Sequence, residues 1–98
     1  MIFVFDVGGT KTRIATSEDG LTLANIAIIP TPRSPQEGLK EFEKIIAGKK
    51  ISRCVGGLAG PLDRERSKLV SGPHLNDWVG FPLKKTLEKT LHVPVLLE

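Results

Sequence analysis

Apolar positions along this chain recur with two different periods. Residues Ile2 to Phe5 form a short continuous apolar run, the pattern of a strand covered on both faces, and an acid, Asp6, interrupts it near its end. Beyond Gly8-Gly9, Thr12 to Thr16 predicts a second strand. Leu21 to Ile29 predicts a third, which follows the polar turn Ser17-Glu18-Asp19-Gly20 and is stopped by Pro30 and Pro32. Three consecutive strands joined by tight turns imply an antiparallel meander. The period then lengthens to that of a helix: Leu39, Phe42, Ile45 and Ile46 make one apolar stripe. Ser34 is placed as its N-cap, Pro35 as its first residue and Glu37 as the partner in a capping box. Gly48 is placed as its C-terminal cap, with Lys49 and Lys50 favourable at the negative end of the dipole.

Ile51 to Leu58 predicts a fourth strand that ends in a glycine-rich bend, Gly56-Gly57-Leu58-Ala59-Gly60-Pro61. A helix between strands argues for a crossover, so this strand should run parallel to a neighbour. Lys68 to Val70 predicts a short strand. Pro82 opens a second helix with Leu83, Leu87 and Leu91 inward and Lys84, Lys85, Glu88 and Lys89 outward. Val93 to Leu97 closes the chain as a strand with no solvent-facing alternation, which predicts that both its faces need cover. The pattern is that of an α/β domain.

Composition narrows the classes. Ninety-eight residues make one domain at most, and 26% charged residues beside 40% hydrophobic ones fit an ordinary globular chain. The net charge of +3 is spread over Lys49, Lys50 and Arg53 at one junction and Arg64, Arg66 and Lys68 at another, without interleaved aromatics. That disfavours nucleic-acid binding. The single Cys54 excludes an internal disulfide and a cysteine-rich metal site. The apolar start is too short for a signal peptide, so a cytoplasmic protein with no membrane partner is expected.

The chemistry concentrates in the turn Gly8-Gly9-Thr10-Lys11-Thr12. Glycines leave backbone N–H groups uncovered and allow positive φ, so successive amides can converge on an anion such as phosphate. Lys11 adds charge, and Thr10 and Thr12 add hydroxyl donors. Asp6, at the strand end beside that turn, is placed to hold a metal ion or its waters. The spacing does not match a Walker loop or a dinucleotide loop. An ordinary hairpin with Gly-Gly at its tip is the competing reading; an acid inside a buried strand, costly without a partner, weighs against it. Gly60-Pro61, beyond the carboxyl end of the fourth strand, is a candidate ligand loop, with a plain turn as its alternative. The loop Ser71 to Gly80 carries polar groups and the only tryptophan, Trp78, a residue that more often packs than recognises.

Asp6-Val7-Gly8-Gly9-Thr10-Lys11 resembles the first phosphate loop of the actin-like ATPase superfamily, in the form found in the ROK family of repressors and sugar kinases. Gly60-Pro61-Leu62-Asp63 is similar to that family's Gly-Pro-[Val/Ile]-Asp turn. Pro73-His74-Leu75-Asn76-Asp77-Trp78 is similar to its Pro-Asn-Leu-x-x-Trp loop, with His74 where the family usually has Asn. The resemblance covers the whole chain, as the front portion of such a protein. It implies a ribonuclease H-like half-domain: a mixed sheet with three antiparallel N-terminal strands and two helices, residues 1–98 forming one N-terminal lobe. It implies an ATP-dependent hexose kinase using Mg²⁺, with Asp6, Gly8, Gly9, Thr10, Lys11 and Thr12 serving the nucleotide and metal. Gly60, Pro61, His74 and Asn76 would serve the sugar.

By the same resemblance, the catalytic Asp would follow Glu98, and the zinc site and adenine lobe would also lie outside this chain. The lobe alone would then be inactive. It would self-associate as a homo-oligomer or need its C-terminal lobe as partner. A non-catalytic ligand-binding or interaction fragment is the alternative. The sugar-sensing part of a ROK repressor is disfavoured, because the first strand at Ile2 leaves no room for a preceding helix-turn-helix.

Overall fold

Strand β1 (Ile2–Val7) is the central strand of a five-stranded mixed sheet in the computed structural model, which describes residues 1–98. It is followed by β2 (Lys11–Ser17), β3 (Ala24–Pro30), α1 (Pro35–Ile46), β4 (Arg53–Leu58), a single 3-10 turn at Asn76–Trp78, α2 (Leu83–Leu91) and β5 (Val95–Leu97). The strand order is β3-β2-β1-β4-β5. The first three strands form the expected antiparallel meander, and β4 and β5 join in parallel through the two helical crossovers.

Alternation along the strands sorts the side chains into two faces. Phe3, Phe5 and Val7 stand opposite Thr16, Ile14 and Thr12 on β2, and opposite Cys54, Gly56 and Leu58 on β4. This face carries the core and is covered by α1 and α2 through Phe42, Ile46, Leu83 and Leu87. The Phe42 ring meets Phe3 edge-on at 5.3 Å and Phe5 at 4.8 Å. The opposite face has no helix over it. Ile26 and Ile28 are 61% and 58% exposed there, and Leu96 is 46% exposed.

Several boundaries differ from those expected, each for a local reason. β1 runs on through Asp6 and Val7, and Asp6 is exposed on the open face rather than buried within a strand. The third strand starts at Ala24, because the Asp19 carboxylate accepts hydrogen bonds from the Leu21 and Thr22 amides, both at 2.8 Å, and holds them in a turn. Those bonds to backbone amides hold the Asp19 carboxyl below its ordinary pKa. Gly56 and Gly57 lie inside β4 rather than in the bend after it. A Cβ at Gly56 would come within 2.0 Å of the Phe5 ring, so glycine is what lets that ring lie on the strand.

The strand expected at Lys68 to Val70 is reduced to single bridges from Leu69 to Leu62 and to Val79. β5 is shorter than expected and one-sided, with Val95 and Leu97 buried and Leu96 exposed, so its apolar run does not obtain cover on both faces.

The helix signals are borne out more closely. The Ser34 hydroxyl accepts the Glu37 amide at 3.3 Å, although the return bond of a capping box is not formed. Gly48 follows α1 with φ +77°, the left-handed conformation expected after a helix end. α2 starts one residue after Pro82 and is closed by His92 in the left-handed region, its amide donating to the Glu88 carbonyl. No helix is long and apolar enough to cross a membrane.

Candidate functional site

The β1–β2 hairpin is tied down on one side and open on the other. The Gly8 amide donates to the Lys11 carbonyl at 3.0 Å, and the Thr31 amide donates to the Thr10 carbonyl at 2.9 Å. The Thr31 hydroxyl donates to the Gly8 carbonyl at 2.6 Å and lies 3.0 Å from the Thr12 hydroxyl. These bonds fix the tip, yet the amides of Gly9 and Thr10 donate to no protein acceptor. Two consecutive backbone donors on a braced turn, with the exposed Thr10 and Lys11 side chains beside them, make a surface suited to an anion.

The glycines act differently from the expectation. Neither Gly8 nor Gly9 adopts positive φ. Both are required by space: a Cβ at Gly8 would lie 2.9 Å from the Lys11 carbonyl oxygen, and one at Gly9 would lie 2.7 Å from the His74 Cβ. Thr12 also departs from its expected role as an anion donor, because it is fully buried on the core face and its hydroxyl is shared with Thr31.

His74 reaches Gly9 because its loop is anchored in the core. The Trp78 indole is buried and donates to the Pro32 carbonyl at 3.1 Å, and its ring lies directly over Gly38 of α1. The result is an open cleft of about 450 Å³ between the hairpin tip and the loop, lined by Gly9, Arg33, His74, Asn76, Asp77 and Trp78. Arg33 was not singled out by the sequence. It follows Thr31-Pro32, and only the fold brings that segment against both the tip and the loop.

Gly60 and Pro61 lie at the same end of the sheet but outside this cleft. The Ala59 amide donates to the Val7 carbonyl at 3.0 Å and the Leu58 amide to the Glu98 carbonyl at 3.3 Å, so the ends of β1, β4 and β5 converge. Gly60 has φ +158°, and a Cβ there would meet the Ser71 carbonyl oxygen at 2.5 Å. Gly60 lines a second recess of about 540 Å³ with Asp63, Arg64, Arg66 and Glu98. The Asp63 carboxylate is engaged by the turn itself, accepting from the Ser67 hydroxyl and amide at 2.6 Å each and from the Lys68 amide at 3.2 Å. Chiefly the Ser67 hydroxyl, then the amides, hold its carboxyl below the ordinary range.

Asp6 lies on the open face beside Gly57, in a shallow apolar recess with Val4, Arg13 and Ala15. It thus sits apart from the cleft that joins Gly9 to His74 and Asn76. No group of three His, Cys, Asp or Glu side chains is close enough to hold a metal ion. A lone exposed carboxylate suits a cation held mainly by phosphate oxygens and water, not one caged by protein.

Comparisons with known proteins place the chain in a family. The family model described as ROK family matches residues 3–98. A glucokinase of Streptomyces coelicolor is 29% identical over 97 residues, covering 95% of this chain and 30% of the relative. The crystal structure of a ROK hexokinase from Thermus thermophilus superposes with a TM-score of 0.77 at 28% identity, over 99% of this chain and 34% of that one. A ROK family glucokinase from Streptomyces griseus, solved in complex with glucose and AMPPNP, gives a TM-score of 0.82 at 24% identity, over 99% of this chain and 32% of that one. The chain therefore spans about a third of the length of the proteins it resembles.

Proposed function

The chain belongs to the ROK family, and from that premise we propose that it forms the phosphate- and sugar-facing part of an ATP-dependent sugar kinase, with a hexose as acceptor. The observation that carries this reading is the hairpin tip, where the unpartnered Gly9 and Thr10 amides adjoin a cleft that also presents His74 and Asn76. The named relatives support it, since one is a glucokinase and another was solved with glucose and a nucleotide analogue.

On this reading, the Gly9 and Thr10 amides, the Thr10 hydroxyl and Lys11 bind the nucleotide phosphates, and Gly8 leaves the backbone uncovered. Thr12 contributes indirectly, through the hydroxyl pair that fixes Gly8. Asp6 would hold Mg²⁺. Bound there, the cation would neutralise charge on the phosphates during transfer to a sugar hydroxyl. His74 and Asn76 orient the sugar from one side and the Gly60-Pro61 bend from the other. Asp63 is not proposed as the base that takes the hydroxyl proton, because its carboxylate is engaged by Ser67 and Lys68. That base is assigned to the part of the relatives' length that this chain does not span.

Titration of the ¹⁵N-labelled chain with Mg²⁺ and AMPPNP, followed by amide chemical shifts, tests the proposal. The largest shifts are expected at Gly9, Thr10 and Lys11, and subsequent addition of glucose should move His74 and Asn76. Shifts confined to Lys49, Lys50 and other exposed basic residues, with Gly9 and Thr10 unmoved, would refute the assignment.

A further inference from the structure

The peptide unit joining Gly8 to Gly9 has no backbone partner at either end: the Gly8 carbonyl accepts no amide, and the Gly9 amide has no acceptor. Turning this unit over changes ψ of Gly8 and φ of Gly9. With no Cβ on either residue, sterics rule out neither orientation. The choice matters because the unit is planar and trans, so its C=O and N–H point in opposite directions. With the carbonyl drawn toward Thr31, the Gly9 N–H faces away, free for an anion. Flipped, the carbonyl oxygen would take its place and repel one.

Side-chain hydroxyls decide what the backbone leaves open. The one donor to the Gly8 carbonyl is the Thr31 hydroxyl, at 2.6 Å. A hydroxyl has a single proton, so that of Thr31 is committed to Gly8. In the 3.0 Å pair between Thr12 and Thr31 the donor is therefore Thr12. The relay runs one way, from Thr12 to Thr31 to Gly8, and starts at a side chain with no exposed surface.

Thr31 is itself held from both sides. Its amide donates to the Thr10 carbonyl at 2.9 Å. The next residue, Pro32, confines Thr31 to extended backbone, and the Pro32 carbonyl accepts in turn from the Trp78 indole at 3.1 Å. The hydroxyl is thus in place before any ligand arrives, and binding need not order it.

We propose that Thr31 is a positioning residue for phosphate binding: its hydroxyl, oriented by that of Thr12, selects the Gly8–Gly9 peptide orientation in which the Gly9 N–H is offered to the anion. The role rests on the reading of the hairpin tip as a phosphate site. It adds the reason a flexible pair of glycines presents a donor there rather than an acceptor.

Titration of the ¹³C,¹⁵N-labelled full chain and its variants with Mg²⁺ and AMPPNP tests the proposal. Thr31→Val keeps the shape of the side chain and removes the hydroxyl. It should weaken AMPPNP binding by at least about tenfold, the size of one hydrogen bond to a charged group. Without ligand, it should also change the HN–Hα couplings of Gly9, which report φ, and shift the Gly8 carbonyl carbon. Thr31→Ser retains a hydroxyl and should recover both affinity and couplings. Ile46→Val, in the core at the other end of α1, should lower the urea midpoint without weakening binding, which separates positioning from loss of stability. Three results would overturn the role of Thr31 while parent shifts at Gly9 and Thr10 still supported the phosphate reading: Thr31→Val binding as tightly as the parent, Thr31→Ser failing as Thr31→Val does, or Ile46→Val weakening binding equally. A parent chain whose Gly9 and Thr10 resonances ignore AMPPNP would remove both.

Discussion

Replacing Gly38 with alanine sets two effects of known size against each other. Gly38 lies within α1, where alanine is preferred over glycine by about 1 kcal/mol on helix propensity alone. The structure opposes that gain. A Cβ at Gly38 would lie 2.6 Å and 2.9 Å from two carbons of the Trp78 ring, which is buried with 2% of its surface exposed. The indole cannot move aside freely, because its N–H donates to the Pro32 carbonyl at 3.1 Å. Overpacking of this kind costs about 1–3 kcal/mol, and loss of the indole bond about 1 kcal/mol more. The net expectation is destabilisation by about 1–3 kcal/mol, seen as a fall of about 1–2 M in the urea midpoint for a chain of this size. Unfolding followed by circular dichroism measures it. The cause is isolated by repeating the substitution in a Trp78→Phe background, where the smaller ring leaves room for the methyl. Gly38→Ala should there become neutral or stabilising. A Gly38→Ala chain at least as stable as the parent, or the same loss in both backgrounds, would refute the reasoning.

Three further outcomes are expected. Gly9→Ala should displace His74 and its loop, broadening or shifting the His74 and Asn76 amide resonances and weakening AMPPNP binding several-fold, whereas a parent-like spectrum and affinity would remove Gly9 from the site. Burial pushes the Cys54 thiol up to about 12, so the folded thiol should resist a thiol reagent at pH 8 and react only on unfolding. Because its folded pKa is raised from 9.0, its contribution to stability is present below pH 9 and lost as pH rises toward 12, which urea midpoints across that window would show. The 98-residue chain by itself should give no sugar-dependent ADP release with glucose, mannose, fructose or N-acetylhexosamines, and measurable turnover would overturn the proposal that the base belongs to the stretch of the relatives that this chain does not span.

Much of the fold was legible because it rests on short-range signals. Ser34-Pro35 starts α1 and Gly48 follows its end, and the apolar periods separate strands from helices at these points. What escaped was decided by tertiary contacts. Gly56 looked like part of a bend because nothing local reveals the Phe5 ring that lies on it. Leu21 and Leu23 looked like strand because their apolar character says nothing of the Asp19 carboxylate that captures the turn. At the site, the hairpin tip was legible from its glycines, but the reason for them was not: the space they leave is set by the Lys11 carbonyl and by His74, 65 residues beyond Gly9. Thr31 and Arg33 carried no motif, so their places beside the tip became visible only in the folded chain.

The position of β1 also orders events in time. Its pairing with β2 closes over a four-residue turn, while its pairing with β4 sets Phe3 beside Cys54 and must span some fifty residues. Short closures are fast and long parallel ones slow, so the meander can form while β4 is still unpaired. During synthesis the meander leaves the ribosome first, with Phe3, Phe5 and Ile14 on a face that α1, β4 and α2 have not yet covered. Each nascent chain can therefore pass through a stage in which both sides of its sheet are apolar and both long borders of it, along β3 and β1, are open. At that stage the chain is most exposed to capture by its neighbours or by chaperones.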